Sequence, residues 1–296
     1  MSVTRTRLVR AISASPHRYD RFRFLTMTAS LAFLLAVPLS GLARVDLWRG
    51  GHALLFREVD LVHGLSGVII AIAACYVITF LSNVVAGRLF CGWGCPVGQV
   101  SRFGDAVDAA SGRGRRREQL AGAAFSGLFV LSVFAWWVDL RVFWRADAAT
   151  AAIAWGLLAS GAAGAYLHGR VWRWEFCKRA CPIGLYYSFV SPASWFGVNF
   201  RDEDRTCIDC DACDGVCPVA LAPRDLMRPV PPRGGISIAD APGRNHCLEC
   251  GDCVRACEFV LRKHDVRAPL ALGYYRGPQR RDAEPVKPER RERAAA

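Results

Sequence analysis

Eight of the thirteen cysteines in this chain fall into two short runs that share one spacing, C-x2-C-x2-C-x3-C. The first run consists of Cys207, Cys210, Cys213 and Cys217, and the second of Cys247, Cys250, Cys253 and Cys257. Thiolate sulfur is a soft ligand suited to iron–sulfur clusters and to zinc. A structural zinc site uses two separated cysteine pairs to close its tetrahedron, and neither run has that form. The spacing therefore favours iron–sulfur chemistry.

The same spacing is typical of bacterial ferredoxins with two clusters, in which the fourth cysteine of each run ligates the other cluster. We therefore expect two [4Fe–4S] clusters in an α+β ferredoxin domain over residues 201–268. The expected ligands are Cys207, Cys210, Cys213 and Cys257 for cluster one, and Cys247, Cys250, Cys253 and Cys217 for cluster two. Glu258 stands where Pro usually follows the last cysteine, and Leu221–Asn245 is expected to be an inserted loop.

A second cysteine motif also occurs twice, as FCGWGCPVG at residues 90–98 and FCKRACPIG at 176–184. Proline favours the first position of a helix, and a helix N-terminus lowers the pKa of a nearby thiol. We therefore expect two pairs of thiolate-prone cysteines. They are candidates for a further metal site, for redox dithiols or for docking the ferredoxin domain, and a purely structural turn is the alternative. The four cysteines of these CxxxCP motifs are Cys91, Cys95, Cys177 and Cys181.

The elements that must position these motifs are apolar. Four stretches lack charged residues and approach the roughly 20 residues that cross a bilayer. They are Phe24–Ala43, Leu65–Gly87, Leu120–Val138 and Ala148–Leu167. The first is longer than the core of a signal peptide, which favours a retained span. The sequence thus predicts a membrane α-helical protein with four transmembrane helices.

The arginines predict the orientation of these spans. They are concentrated before the first stretch, between the second and third, and after the fourth, whereas segments 44–64 and 139–147 balance Arg against acidic residues. Because positive residues mark cytoplasmic loops, both termini are expected in the cytoplasm and the chain in a bacterial inner membrane. The net charge of +12 is then a topology signal, and nucleic acid is not an expected partner. A reducing cytoplasm also disfavours disulfides.

The predicted organisation has five parts. They are a basic cytoplasmic N-terminus (1–23), a membrane domain of two similar halves that each end in FCxxxCP (24–184), an interfacial or re-entrant helix (185–200), the ferredoxin domain (201–268) and a disordered charged tail (274–296). His63 and His168 are expected near opposite membrane faces, so no haem is expected. Quinol contact stays open for either residue.

These motifs together resemble the NapH/MauN-type membrane ferredoxin-type proteins, which are related to the membrane parts of NosR and CcoG. The motifs that carry the resemblance are FCGWGCP, FCKRACP, CIDCDACDGVCP and CLECGDCVRAC. The resemblance implies an electron carrier or oxidoreductase subunit rather than a stand-alone catalyst. It would pass electrons between a quinol pool or cytoplasmic donor and a respiratory or dehydrogenase partner. The alternative is a maturation reductase for a metalloenzyme, of the methylamine dehydrogenase or cytochrome oxidase copper type.

Overall fold

A computed structural model describes residues 11–12, 15, 17–190, 196–202, 205–226 and 246–274. The described residues form two compact units. Unit one draws its described residues from Met1–Phe22, Leu81–Trp93 and Trp174–Ala296, and unit two consists of Arg23–Phe80 and Gly94–Arg173. The expected insertion 221–245 and the tail 274–296 lie outside the described residues beyond positions 226 and 274 respectively.

Long helices dominate unit two. The elements that lie wholly or largely in it are α1 (Arg18–Ser40), α2 (Leu61–Ala86), α4 (Pro96–Ala109), α5 (Gly112–Phe134), α6 (Val142–Arg145) and α7 (Ala148–Val171). Pro96 occupies the first turn of α4. The carboxylate of Asp147 caps α7 by accepting a 3.0 Å hydrogen bond from the backbone N–H of Thr150, which satisfies a donor that the helix itself leaves unpaired.

Three helices among the described residues are long and apolar enough to cross a membrane: Arg18–Ser40, Leu61–Ser82 and Ala148–Val171. They coincide with the first, second and fourth predicted stretches. Helix α5 contains most of the third stretch but ends at Phe134, and its first turns carry Arg113, Arg115, Arg116 and Arg117. Its uncharged part is therefore short, and a fourth span stays a prediction.

Helices α4, α5 and α7 pack against one another through small residues. A Cβ added to Gly104 would lie 1.8 Å from the carbonyl oxygen of Gly169, so this crossing requires glycine. Two ion pairs also join α4 to the C-terminal end of α7. Arg170 Nη1 lies 2.9 Å from Asp108, and Arg173 Nη1 lies 3.2 Å from Asp105. The helix that follows the first CxxxCP motif is thereby fixed to the C-terminal end of α7.

A small antiparallel sheet, which was not predicted, lies between α1 and α2. It consists of β1 (Ala43–Arg44), β2 (His52–Leu54) and β3 (Arg57–Val59). The buried carboxylate of Asp46 accepts hydrogen bonds from the backbone N–H groups of Trp48 and Asp139, at 3.0 and 3.3 Å. These bonds explain how a charged side chain is buried here, since burial requires compensating donors.

Unit one contains shorter elements around a cysteine-rich core. They are α3 (Leu89–Trp93), α8 (Trp174–Arg179), α9 (Pro182–Val190), β4 (Phe196–Phe200), α10 (Ala212–Val216), α11 (Asp252–Leu261), a 3₁₀ turn (Arg262–His264) and β5 (Leu270–Tyr274). Strands β4 and β5 pair antiparallel, with Phe196 opposite Tyr274 and Phe200 opposite Leu270. Helices α10 and α11 pack against each other.

The structure differs from the predicted boundaries around this sheet. The segment 185–200 was expected to be one helix, but α9 ends at Val190 and Phe196–Phe200 is a strand. Its partner β5 lies beyond residue 268, where the ferredoxin domain was expected to end. Long-range pairing decides this, because apolar residues in a short run fit a strand as well as a helix.

Candidate metal centres

Three cysteines of the first run and one cysteine of the second surround a single cavity. The cavity has about 350 Å³ of empty space, part of it open to solvent. Its cysteine lining consists of Cys207, Cys210, Cys213 and Cys257. Asp209 and Asp211 adopt the left-handed backbone conformation, with φ of 51° and 53°. These two left-handed residues bend the loop around the cavity.

A second cavity, of about 320 Å³, has the complementary lining of Cys217, Cys247, Cys250 and Cys253. Its loop repeats the backbone of the first, with φ of 49° at Glu249 and 75° at Gly251. Gly251 begins α11 as its N-cap residue. The cysteines that sequence spacing assigned to one cluster therefore line one cavity in each case.

The exchange of the fourth cysteine follows from the paired helices. Cys213 and Cys217 lie at the two ends of α10, and Cys253 and Cys257 lie one turn apart on α11. Each helix thus contributes one cysteine to each cavity. Among the described residues, no three His, Cys, Asp or Glu side chains converge on a point that could bind a single metal ion. Each set of four cysteines lines a cavity instead.

Burial changes the acidity of these thiols. It raises the pKa of Cys257 to about 11 and raises that of Cys213, Cys217, Cys247 and Cys253 as well. All are therefore neutral at physiological pH unless a bound metal replaces the proton. Backbone N–H groups donate to two sulfurs, Leu221 to Cys217 at 3.3 Å and Glu249 to Cys247 at 3.4 Å. Soft donors with N–H···S contacts fit an iron–sulfur cluster.

A buried arginine balances carboxylates beside the first cavity. Arg224 Nη1 lies 2.6 Å from Asp209, and its Nη2 lies 3.6 Å from Asp214 and also pairs with Asp211. Burial raises the pKa of Asp214 despite this partner. Three carboxylates of this loop therefore pair with the same guanidinium.

The first CxxxCP motif packs against the second cysteine loop. A Cβ on Gly92 would lie 2.3 Å from the carbonyl oxygen of Leu248 and 3.0 Å from the Cα of Cys250. The Trp93 indole donates a 2.8 Å hydrogen bond to the carbonyl oxygen of Glu249. Cys91 packs against the same core as the ferredoxin-type cysteines. Cys95 belongs to unit two, where it is the N-cap residue of α4.

The second CxxxCP motif also contributes to unit one. Cys177, on α8, packs against the cysteine-rich core, and Cys181 directly precedes α9, as Pro182 predicts. The buried Arg88 donates a 3.2 Å hydrogen bond to the carbonyl oxygen of Cys177. A Cβ on Gly184 would lie 2.5 Å from Arg88 Nη2. The residues around Cys91 and Cys177 are therefore linked through Arg88.

The start of α1 covers part of the second loop, and sequence reasoning missed this contact. Tyr19 is buried, and its ring would lie 2.8 Å from a Cβ on Gly251. His17 Nε2 lies 2.8 Å from Glu258, and Arg255 Nη1 lies 2.8 Å from Asp20. Glu258, in the place of the usual Pro, was the one available signal. Its carboxylate holds the N-terminal segment.

Three other residues considered from sequence lie on the long helices. His63, in the first turn of α2, is exposed and pairs with Asp60. His168 lies in the last turn of α7, and Cys75 is partly buried within α2.

Comparisons with known proteins agree with the cysteine pattern. The chain is 28% identical over 223 residues to the methylamine utilization ferredoxin-type protein MauN of Methylorubrum extorquens, covering 68% of this chain and 75% of MauN. It is 23% identical over 268 residues to the ferredoxin-type protein NapH of Haemophilus influenzae, covering 85% of this chain and 91% of NapH.

A protein of Methanocaldococcus jannaschii is 23% identical over 189 residues, covering 62% of this chain and 66% of its own. No family model matches the chain, and no solved structure matches it. The resemblance predicted from the cysteine motifs is confirmed, and the chain is a homologue of the ferredoxin-type proteins of the NapH/MauN type.

Proposed function

We propose that this protein is a membrane-bound electron carrier that holds two [4Fe–4S] clusters. The observation that carries the proposal is the lining of the two cavities, each by four cysteines drawn from both runs. The names of its relatives, ferredoxin-type proteins, support the same chemistry. When bound, each cluster supplies reversible transfer of one electron.

The residues of the chain prepare both cavities for this role. Burial of Cys213, Cys247, Cys250 and Cys253 keeps water from these sulfur ligands, and the N–H groups of Leu221 and Glu249 stabilise negative charge on sulfur. Such hydrogen bonds and solvent exposure set the reduction potential of a cluster. Gly92 and Trp93 of the first CxxxCP motif lie against the loop of the second cavity.

The ligand assignment is tested by pairs of cysteine variants. With exchanged fourth ligands, Cys210→Ser combined with Cys257→Ser damages one cluster and leaves about four irons per chain. The matched pair Cys210→Ser with Cys217→Ser damages both clusters and leaves almost none. Iron, labile sulfide and EPR spectra of anaerobically purified protein distinguish these outcomes. The reverse pattern would mean that each run holds its own cluster, and wild-type protein without sulfide would end the electron-carrier proposal.

The proposed setting is a bacterial inner membrane with both termini in the cytoplasm. It is supported by the three apolar helices and by the distribution of arginine in the connections. A membrane-impermeant thiol reagent added to intact cells should then fail to label Val266→Cys, at an exposed position that lines neither cavity, and should label it once the cells are broken. Labelling of Val266→Cys before the cells are broken would refute this orientation.

The proposed partners are membrane lipid and redox proteins, with quinol as an electron source. The competing proposal is a maturation reductase in which the CxxxCP cysteines contact a client enzyme. Cys177→Ser separates the two proposals if both clusters persist. Under both proposals, reduction of the clusters by quinol persists in this variant. Maturation of the client is lost only if the protein is a maturation reductase.

A further inference from the structure

We propose that the first cysteine loop, residues 207–213, is the docking face for a soluble redox protein with a basic surface. The inference rests on the proposed electron-carrier function and adds which cavity exchanges electrons with that partner. It starts from the internal repeat of the two cysteine loops, 207–213 and 247–253. Ile208 corresponds to Leu248 and Asp209 to Glu249 in the shared spacing, and both loops have left-handed residues at the same two positions.

Equivalent residues of the two loops differ sharply in exposure. Leu248 and Glu249 are each 1% exposed, whereas Ile208 is 50% exposed and the side chain of Asp209 is 70% exposed. Cys210 is likewise exposed and its counterpart Cys250 is buried. The same backbone therefore forms a covered face in one copy and an open face in the other.

Residues of the first CxxxCP motif cover the second loop. Gly92 packs on the backbone of Leu248 and Cys250, and Trp93 donates to the carbonyl oxygen of Glu249. The Glu249 carboxylate is used internally, since it accepts a 2.6 Å hydrogen bond from the backbone N–H of Val198. In the first loop, the corresponding Asp209 carboxylate is directed to the surface and pairs with Arg224.

The charge of the open face selects the partner. Asp209, Asp211 and Asp214 all pair with Arg224, whose side chain is 9% exposed, whereas the side chains of Asp209 and Asp211 are each 70% exposed. The open face therefore presents a rim of carboxylates beside the apolar side chain of Ile208 and the exposed Cys210. Such a rim attracts a positively charged protein and raises its rate of encounter. A partner seated on Ile208 touches the cysteine lining of the first cavity directly.

The test measures electron transfer from the full-length protein to cytochrome c, a basic soluble haem protein. The protein is reduced with dithionite under anaerobic conditions and freed of excess reductant. Each electron that leaves a reduced cluster converts one haem iron from Fe(III) to Fe(II). Asp209→Asn and Asp211→Asn should each lower the second-order rate about threefold at low ionic strength. Asparagine tolerates the left-handed backbone at both positions, and high salt should remove the differences.

Asp265→Asn is the matched control, because Asp265 is exposed in the same unit and has a φ of 53° but does not line the first cavity. Its rate should equal that of the wild type. Iron and sulfide are counted first in every variant, so a protein without clusters refutes the proposed function rather than the docking face. With both clusters present, equal rates for Asp209→Asn, Asp211→Asn and Asp265→Asn overturn the docking face.

The alternative occupant to test is the arginine-rich segment 275–296 of the same chain. A variant that ends at residue 274 is therefore compared with the full chain. An unchanged sensitivity of the rate to Asp209→Asn supports a separate partner. A faster rate in the shortened protein, together with loss of salt dependence in the full-length one, would mean that the tail occupies the face and would overturn the proposal.

Discussion

Gly92 is the residue at which the first CxxxCP motif and the second cysteine loop come closest. The backbone of Leu248 and Cys250 occupies the space that a side chain at position 92 would need. Backbone atoms cannot rotate away as the end of a flexible side chain can. The first glycine in FCGWGCP is therefore required by packing within unit one.

Gly92→Ala should separate this loop from the motif. Its Cβ would lie 2.3 Å from the carbonyl oxygen of Leu248, and overpacking of this kind costs about 1–3 kcal/mol of stability. We expect iron content to fall toward about four per chain, with loss of the cluster at the second cavity. Gly127→Ala is the control, because no atom lies within 4 Å of its added Cβ. Full iron content in Gly92→Ala would contradict this account.

At the scale of elements, the contact between α4 and α7 holds unit two together near the first CxxxCP motif. Gly104 and Gly169 bring the two backbones close, and Arg170 reaches across to the carbonyl oxygen of Gly104 at 3.0 Å. Arg173 pairs with Asp105 and Asp108 beside them. Small residues permit the approach, and ion pairs at its edge fix the register.

Gly169→Ala should weaken this helix contact. The added Cβ would lie 2.5 Å from the carbonyl oxygen of Val100 and 2.6 Å from its Cγ1. We expect a loss of about 1–3 kcal/mol, measured as a midpoint of thermal unfolding several degrees lower. Gly164→Ala, on the same helix with no atom within 4 Å, should be neutral or slightly stabilising, since alanine favours a helix by about 0.5–1 kcal/mol. Equal midpoints for the two variants would exclude a tight α4–α7 crossing.

At the scale of the whole molecule, we expect the two compact units to depend differently on the proposed clusters. The core of unit one contains cysteines of both proposed clusters, among them Cys213, Cys247, Cys250 and Cys253. The described cores of unit two are built from aliphatic and aromatic side chains, around Val68 and Trp136 and around Phe143. The proposed clusters are therefore expected to contribute folding free energy to unit one.

Removal of iron by a chelator should loosen unit one alone. We expect limited proteolysis of the metal-free protein to cut within residues 246–274 while residues 94–173 stay intact. Anaerobic protein with its clusters should resist cleavage in both regions. Equal protection of residues 246–274 with and without iron would show that the cysteines do not organise this core.

The sequence alone determined the cysteine pattern, the proline-initiated helices at Cys95 and Cys181, and three of the apolar helices. These are local features, because spacing along a loop, a missing N–H and the length of an apolar run act over few residues. The NapH/MauN-type resemblance rests on the same local motifs. Even the grouping of Cys257 with the first cavity was predictable, since it follows from a pattern of spacing.

Only the tertiary structure decided which residues meet across long distances in the chain. The strand Phe196–Phe200 exists because it pairs with Leu270–Tyr274, and neither strand is stable alone. Gly92 against Leu248, Glu258 against His17, and the covering of one cysteine loop but not the other depend equally on non-local packing. The two runs have the same spacing, so their different exposure could not be read from the sequence. It arises from what the rest of the chain places beside each loop.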